Sequence, residues 1–253
     1  MVKHKPLLGV NISLVNNKTV ISEIEKLLKE KSQVFITTPN PEHLMQAQNF
    51  GDFKDVLNSA SLAVPDGVGL VWALKQRYPE IAQELERVTG VDLMLKICNL
   101  AAQKEMNVGL LGGRNGVAKK AAEALKRTIP EIKVFEIGLH KDIKTVNNEE
   151  NDAIIKRIQE KKINILFVAY GAPHQELWIA QNLKSLPQVK IAMGVGGAFD
   201  FLAGRVKRAP LWVQKLGLEW FFRLVQEPWR WKRQLCLISF AWKVMRKEES
   251  KVH

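Results

Sequence analysis

The feature that most constrains the fold is an alternation of short apolar runs with longer amphipathic stretches over the first 204 residues. Strands that are apolar along their whole length are typical of a parallel sheet covered on both faces. Six short runs that are mainly β-branched or apolar are predicted to be strands: Gln33–Thr37, Ser61–Val64, Asn107–Leu111, Lys133–Ile137, Asn164–Ala169 and Lys190–Val195.

The stretches between these runs have helical periodicity. In the first of them, Val20, Ile24, Leu27 and Leu28 fall on one face of a helix. The predicted helices are Thr19–Lys31, Pro41–Gln48, Gly67–Arg77, Val91–Glu105, Asn115–Thr128, Asn148–Lys161 and His174–Leu183. Strands alternating with helices predict an α/β fold, a Rossmann-like, mainly parallel sheet with helices on both faces, over residues 1–204.

The last fifth of the chain, residues 205–253, has a different composition. It holds twelve Lys and Arg against four acidic residues, and five of the seven tryptophans. Trp, Phe and Leu mixed with basic residues are typical of a helix that lies on a membrane surface. A helical pair packed as core, or stacking on single-stranded nucleic acid, would also fit. We predict a basic, Trp-rich helical appendage that associates with an anionic membrane, and no nucleic-acid partner.

Composition restricts the remaining classes. Cys98 and Cys236 are far apart in apolar stretches, which favours two reduced thiols over a disulfide. The sequence has no Cys/His cluster with zinc spacing, no apolar stretch as long as a membrane span and no complete signal peptide. These features predict a cytoplasmic protein.

Unusual residues collect where the predicted strands end, and ligands of parallel sheets bind beyond those carboxyl ends. Asn40 precedes Pro41, so it can cap a helix whose free N–H groups also suit an anion. Asp66 can be a turn aspartate or a general base with a raised pKa. Arg87 can hold a diphosphate or pair with Asp92.

Two glycine-rich segments follow strands. Gly109–Gly116 does not match the dinucleotide pattern in register, so a turn or part of a nucleotide-sugar cleft is the better interpretation. Gly194, Gly196 and Gly197 can offer N–H groups to a phosphate, with Asp200 accepting from a hydroxyl, or can simply permit a tight turn. The sequence has no Asp-x-Asp at a strand end and no HExxH, two patterns that bind metal ions. If the ligand is a nucleotide sugar, its leaving diphosphate must therefore be stabilised by arginines and backbone dipoles.

Taken in order, these motifs resemble the WecG/TagA/CpsF family of bacterial glycosyltransferases over nearly the whole chain. The motifs that carry the resemblance are Thr38-Pro39-Asn40, Val64–Gly67, Arg87-x-x-Gly90-x-Asp92, Gly171-Ala172-Pro173-x-Gln175-Glu176, Gly194–Asp200, Lys207–Pro210 and Gly217–Arg233.

The resemblance implies an inverting, metal-independent transfer of N-acetylmannosamine from UDP-N-acetylmannosamine to N-acetylglucosamine on diphospho-undecaprenol. It implies that Asp66 is the base and that Arg87 lies near the diphosphate. It places Thr38, Asn40, Gln175 and Asp200 in the nucleotide-sugar pocket. It also implies that three arginines of the appendage reach the active site at the membrane: Arg223, Arg230 and Arg233.

Several alternatives stay open at this point. The donor could carry N-acetylmannosaminuronic acid, glucose or N-acetylgalactosamine, and the chain could instead be a non-catalytic nucleotide-sugar-binding protein of envelope assembly. We expect no cofactor and a peripheral location on the inner face of the cell membrane. The sequence does not decide the oligomeric state, and a homo-oligomer is compatible with it.

Overall fold

The structure, a computed structural model, describes residues 2–138, 146–215, 217–228 and 231–246, without the side chains of 211, 215 and 232–234. The strands are β1 His4–Leu7, β2 Val10–Ser13, β3 Val34–Thr37, β4 Leu62–Ala63, β5 Asn107–Gly112, β6 Lys133–Glu136, β7 Ile165–Ala169 and β8 Ile191–Gly194.

Twelve α-helices lie within the described ranges. Those of the predicted body are α1 Val20–Glu30, α2 Pro41–Asn49, α3 Gly51–Ser59, α4 Val68–Arg77, α5 Gly90–Gln103, α6 Val117–Thr128, α7 Asn148–Glu160, α8 His174–Asn182 and α9 Ala198–Leu202. The tail contributes α10 Leu211–Lys215, α11 Glu219–Gln226 and α12 Trp231–Met245. Short 3₁₀ helices span Pro79–Ile81 and Leu183–Ser185.

Six parallel strands form the central sheet in the order β4-β3-β8-β7-β5-β6. All six predicted strands are present, although the predicted Ser61–Val64 shortens to the two residues of β4. Because every strand runs the same way, the loops that follow the strands meet at one edge of the sheet.

Helices cover both faces of the sheet, as predicted. Along β7, Ile165 and Phe167 belong to a core shared with α1, α5 and α6. Leu166 and Val168 point the other way, into a core shared with α7 and α8. Alternation of this kind follows from the two-residue period of a strand and explains why β7 is apolar throughout.

The N-terminal hairpin of β1 and β2 was not predicted. Leu8 and Gly9 form its two-residue turn with φ of 49° and 74°. Asn or Asp is usual at the first of these turn positions, so Leu8 provides no hairpin signal. The hairpin lies beside β4, where the Ser13 hydroxyl accepts a hydrogen bond from the Ala63 N–H at 2.9 Å.

The tail packs on the body through α12, which contacts α2 and α4. Phe240 is buried in a third core that includes Leu44, Leu70 and Leu74. Within the described residues, no helix is both long enough and apolar enough to span a bilayer.

Candidate active site

A cavity of about 820 Å³ opens where β3, β4, β5, β7 and β8 end. Loops after these strands supply Thr38, Asp66, Gly113, Tyr170 and Gly196 to its wall. The opposite wall comes from α11 and α12 of the tail, including Glu219, Trp220, Arg223, Leu237 and Phe240. The cavity therefore lies between the α/β body and the tail, with residues of both around it.

Asn40 combines the two roles that the sequence left open. Its side chain caps α2 by accepting from the His43 N–H at 3.0 Å, and Pro41 occupies the first helical position. Asn40, Pro41 and His43 also line the cavity, so the positive end of the α2 dipole faces it. The capping interpretation is confirmed, and it leaves the helix terminus available to an anion.

Asp66 lies beyond the end of β4 with its carboxylate directed toward the start of α5. One oxygen accepts from the Gly90 N–H at 3.4 Å, and the other lies 3.6 Å from Arg87 Nε. Thr38 and Asp66 both approach Gly90, because a methyl group placed on Gly90 would lie 3.5 Å from Thr38 Oγ1 and 3.8 Å from Asp66 Oδ2.

Desolvation raises the pKa of Asp66, although Arg87 and the Gly90 N–H act in the opposite direction. About a quarter of the side chain, 28%, stays exposed, and Asp66 lines the cavity. The group is thus a carboxylate that can be reached from the cavity and that holds a proton more readily than an ordinary aspartate. This combination suits a general base.

Arg87 links this carboxylate to the tail. Its Nη2 donates to Glu219 Oε2 at 2.5 Å. Glu219 Oε1 lies 3.9 Å from Arg208 Nε, and Arg208 Nη2 donates to Asp92 at 2.6 Å. Charges of alternating sign therefore run from the end of β4 to the tail.

Asp92 pairs with Arg208, so the interpretation of Asp92 as the partner of Arg87 is wrong. Desolvation opposes ionisation of Asp92, but hydrogen bonds from Arg208 and Thr89 outweigh it and hold its pKa below the usual range. Arg87 keeps its guanidinium at the cavity wall, where 21% of the side chain is exposed.

Gln175 joins two of the glycine-rich loops. Its side-chain oxygen accepts from the Gly171 N–H at 3.1 Å and from the Gly196 N–H at 2.9 Å. The residue lines the cavity but is only 2% exposed, so its amide is mostly engaged with the protein itself. Asp200 also lines the cavity, with its carboxylate 3.6 Å from Arg205 Nη1.

The predicted tail arginines are described unequally. Arg223 lines the cavity, donates to Glu227 at 2.8 Å and lies over the Phe201 ring at 5.0 Å. A methyl group placed on Gly197 would lie 2.7 Å from Arg223 Nη2, so this arginine touches the β8 loop. Arg230 and the side chain of Arg233 lie outside the described residues.

The sequence assigned no role to Glu219, Arg208 or Trp72. Glu219 pairs with Arg87, Arg208 lies beside Glu219, and Trp72 lines the cavity. Glu219 lies in one of the motifs quoted above, but it is 132 residues from Arg87. No local pattern reports a pairing over that distance. Its place in that motif, and an acid among the basic residues of the tail, were the available signals.

Metal ligands are not grouped in the part of the chain that the structure describes. In those ranges, no set of three or more His, Cys, Asp or Glu side chains is arranged to hold a metal ion. The positive charge at the cavity wall comes from arginines, among them Arg87 and Arg223, together with the partial charge of the α2 N-terminus.

Proteins of similar sequence give independent information on the class of this chain. The family described as "Glycosyl transferase WecG/TagA/CpsF family" matches residues 5–252. A protein of Bacillus subtilis (strain 168) is 33% identical over 246 residues, 95% of this chain and 91% of that protein. A protein of Staphylococcus aureus (strain MRSA252) is 31% identical over 229 residues, 90% of this chain and 85% of that protein. Both are named N-acetylglucosaminyldiphosphoundecaprenol N-acetyl-beta-D-mannosaminyltransferase.

Proposed function

The chain belongs to the WecG/TagA/CpsF family of glycosyltransferases, and from this membership we propose that it transfers N-acetylmannosamine from UDP-N-acetylmannosamine to N-acetylglucosamine on diphospho-undecaprenol. The relatives' names supply the sugar and the acceptor. One observation of this chain carries the proposal. A reachable carboxylate with a raised pKa lies 3.6 Å from a guanidinium, in a cavity lined by the loops that follow the parallel strands.

Asp66 acts as the base in this reaction. It takes the proton from the acceptor hydroxyl as the hydroxyl oxygen forms a bond to the anomeric carbon of the sugar. The bond from that carbon to the UDP oxygen breaks, and UDP leaves. Attack on the face opposite UDP inverts the configuration. A general base is most efficient when its pKa lies near the operating pH. Desolvation moves the pKa of Asp66 in that direction.

Arginines and backbone dipoles stabilise the leaving diphosphate without a metal ion. Arg87 and Arg223 both line the cavity, one from the body and one from the tail. The N-terminus of α2 and the N–H groups around Gly197 add partial positive charge. Thr38, Asn40 and Asp200, which also line the cavity, complete the donor pocket. Charge that develops on UDP is thus met by donors already in position.

The test is UDP release from UDP-N-acetylmannosamine in detergent and EDTA, with and without a lipid-diphosphate N-acetylglucosamine acceptor. We expect release that depends on the acceptor and continues in EDTA. Release only with UDP-N-acetylmannosaminuronic acid, UDP-glucose or UDP-N-acetylgalactosamine would retain the reaction class and change the donor. Loss in EDTA with recovery on adding a divalent cation would contradict metal independence.

Residues 205–253 form, in this proposal, an appendage that rests on the anionic inner face of the membrane. Along α12, large apolar side chains follow each other at intervals of four and three residues, which is one stripe of a helix. All are between 46% and 70% exposed: Trp231, Leu235, Ile238, Trp242 and Met245. An exposed stripe next to a basic composition favours an anionic membrane.

Removal of part of this stripe should weaken binding to vesicles. We expect the double variant Leu235→Ser, Ile238→Ser to lower the partition coefficient for phosphatidylglycerol-containing vesicles by about tenfold or more, since each side chain contributes on the order of 1 kcal/mol or more of apolar burial. Co-sedimentation measures this, and Phe50→Ser, an exposed aromatic outside the tail, is the control. Equal vesicle binding by the double variant and the wild type would contradict a membrane role of the appendage. If the wild type is a homo-oligomer and the double variant is a monomer, the stripe serves self-association instead.

A further inference from the structure

Two loops of the cavity wall are held together by a single side-chain oxygen. Gly171 follows β7 and Gly196 follows β8, and both N–H groups donate to Gln175 Oε1. Both glycines have positive φ, 76° and 50°, so neither loop has the regular backbone of a strand or helix. One carboxamide oxygen therefore bridges the two loops beyond the last paired residues of β7 and β8.

The other end of that carboxamide is held by Glu176. Gln175 Nε2 donates to Glu176 Oε1 at 2.7 Å, and Glu176 is 1% exposed. Its second oxygen is buried and has no hydrogen-bond partner among the described residues. Gly194 leaves the room for this contact, because a methyl group there would lie 2.8 Å from both Gln175 Nε2 and Glu176 Oε1.

We propose that Glu176 is a positioning residue that fixes the Gln175 carboxamide with its oxygen toward Gly171 and Gly196 and thereby holds the wall that binds the donor diphosphate. The identity of the ligand rests on the proposed function. The contact itself does not depend on that function.

The physical argument is the near-symmetry of a carboxamide. Rotated by half a turn, Gln175 would present its NH₂ group to two N–H donors and lose both hydrogen bonds. An acceptor beside Nε2 favours the present orientation, because only the NH₂ end can donate to it. Burial raises the pKa of Glu176 to about 7, and a carboxyl oxygen can accept from Nε2 whether or not the other oxygen holds a proton.

Two substitutions separate this role from a general need for a polar group. Glu176→Gln keeps an acceptor oxygen of the same reach, whereas Glu176→Met keeps the length and removes the acceptor. We expect Glu176→Gln to bind UDP within about twofold of the wild type. We expect Glu176→Met to bind UDP about tenfold or more weakly, the effect of losing one or two hydrogen bonds of ordinary strength. The KM for the donor should rise more than kcat falls.

A measurement on the loops themselves makes the test independent of activity. In protein labelled with ¹⁵N-glycine, amide exchange at Gly171 and Gly196 should be faster in Glu176→Met and unchanged in Glu176→Gln. Gln175→Met should accelerate both amides as well, which keeps the test available if Glu176→Met does not fold. Asn182→Leu is the matched control, because Asn182 is a buried polar residue of the same helix that bonds Asn151 and Trp178 rather than the loops.

The outcomes are distinct. Faster exchange at both glycines in Glu176→Met but not in Asn182→Leu, with weaker UDP binding, supports the inference. Unchanged exchange in Glu176→Met, or in Gln175→Met where the first variant does not fold, would overturn it. Equal effects of Glu176→Met and Asn182→Leu would also overturn it, since the role would be structural only. Faster exchange in a chain whose wild type does not bind UDP would preserve the positioning of the loops and refute the proposed donor class.

Discussion

Replacement of Asp66 by asparagine is expected to lower kcat for sugar transfer by about 10²–10⁴-fold, the range associated with loss of a general base. Asparagine has nearly the same shape and can still accept from the Gly90 N–H, which bonds Asp66 Oδ2 at 3.4 Å. It cannot take a proton from the acceptor. Steady-state transfer measures the effect, and calorimetric titration with UDP should show binding within a few-fold of the wild type.

Asp92→Asn is the matched control for this variant. Asp92 belongs to the same chain of charges through Arg208, but it is not among the residues that line the cavity. We expect a much smaller loss of kcat. Comparable losses in the two variants would assign the effect to the charge network and would contradict Asp66 as the base.

The pH dependence of the wild type gives a second readout for Asp66. Because desolvation raises its pKa, the activity should fall with decreasing pH at a higher pH than an ordinary aspartate would give. The sign follows from the base being active only without its proton. This acidic limb should be missing from the residual activity of Asp66→Asn.

Arg87→Ala is expected to lower kcat/KM for the donor by about 10²–10³-fold, the effect of removing one preorganised donor to developing charge. The guanidinium lies between Asp66 and Glu219, so its loss also leaves two carboxylates facing each other. Arg87 holds the pKa of Asp66 down against desolvation. The acidic limb of the remaining activity should therefore move to higher pH.

Glu219→Ala separates the two roles of Arg87. It removes the contact with the tail, at 2.5 Å, and leaves the guanidinium at the cavity. We expect a smaller loss of kcat/KM than in Arg87→Ala and little change of UDP affinity. Arg87→Lys should keep the charge but not the planar set of donors, and should fall between the wild type and alanine. If Glu219→Ala is as impaired as Arg87→Ala, docking of the tail rather than diphosphate binding is the main role of Arg87.

Local sequence pattern is enough to predict the strands of the central sheet but not the N-terminal hairpin. The six core strands are predictable because each is buried on at least one face and most are apolar throughout. The hairpin of β1 and β2 is not, because Leu8 occupies a turn position with a φ of 49°. The cost of that conformation is offset by burial of Leu8 in the core shared with Leu44 and Phe240. Helix α3 also lacks a clear local signal. It begins at Gly51, a poor helix former, and only Phe53 and Leu57 are buried along it, too few to define a periodic apolar face.

In the site, the positions of the residues are predictable from the sequence, whereas their hydrogen-bond and ion-pair partners are not. Thr38, Asn40, Asp66 and Gly196 follow strands, and the rule that ligands bind beyond the carboxyl ends of parallel strands is enough to place them at one edge of the sheet. The partners of the site residues are not predictable in this way. Arg87 pairs with Glu219 rather than Asp92, and Gln175 bonds the protein rather than standing free in the cavity.

Local sequence was sufficient to specify the parallel α/β body, the edge at which the cavity opens and the unusual composition of the tail. Hydrophobic period, helix capping and charge density act over a few residues, so a short segment contains the whole signal. Long-range packing is what brings Glu219 of the tail to Arg87, buries Phe240 against α2 and α4, and places Glu176 beside the amide of Gln175 and the backbone of Gly194. These contacts depend on how whole elements pack, and packing geometry is a property of the entire chain rather than of any short segment of it.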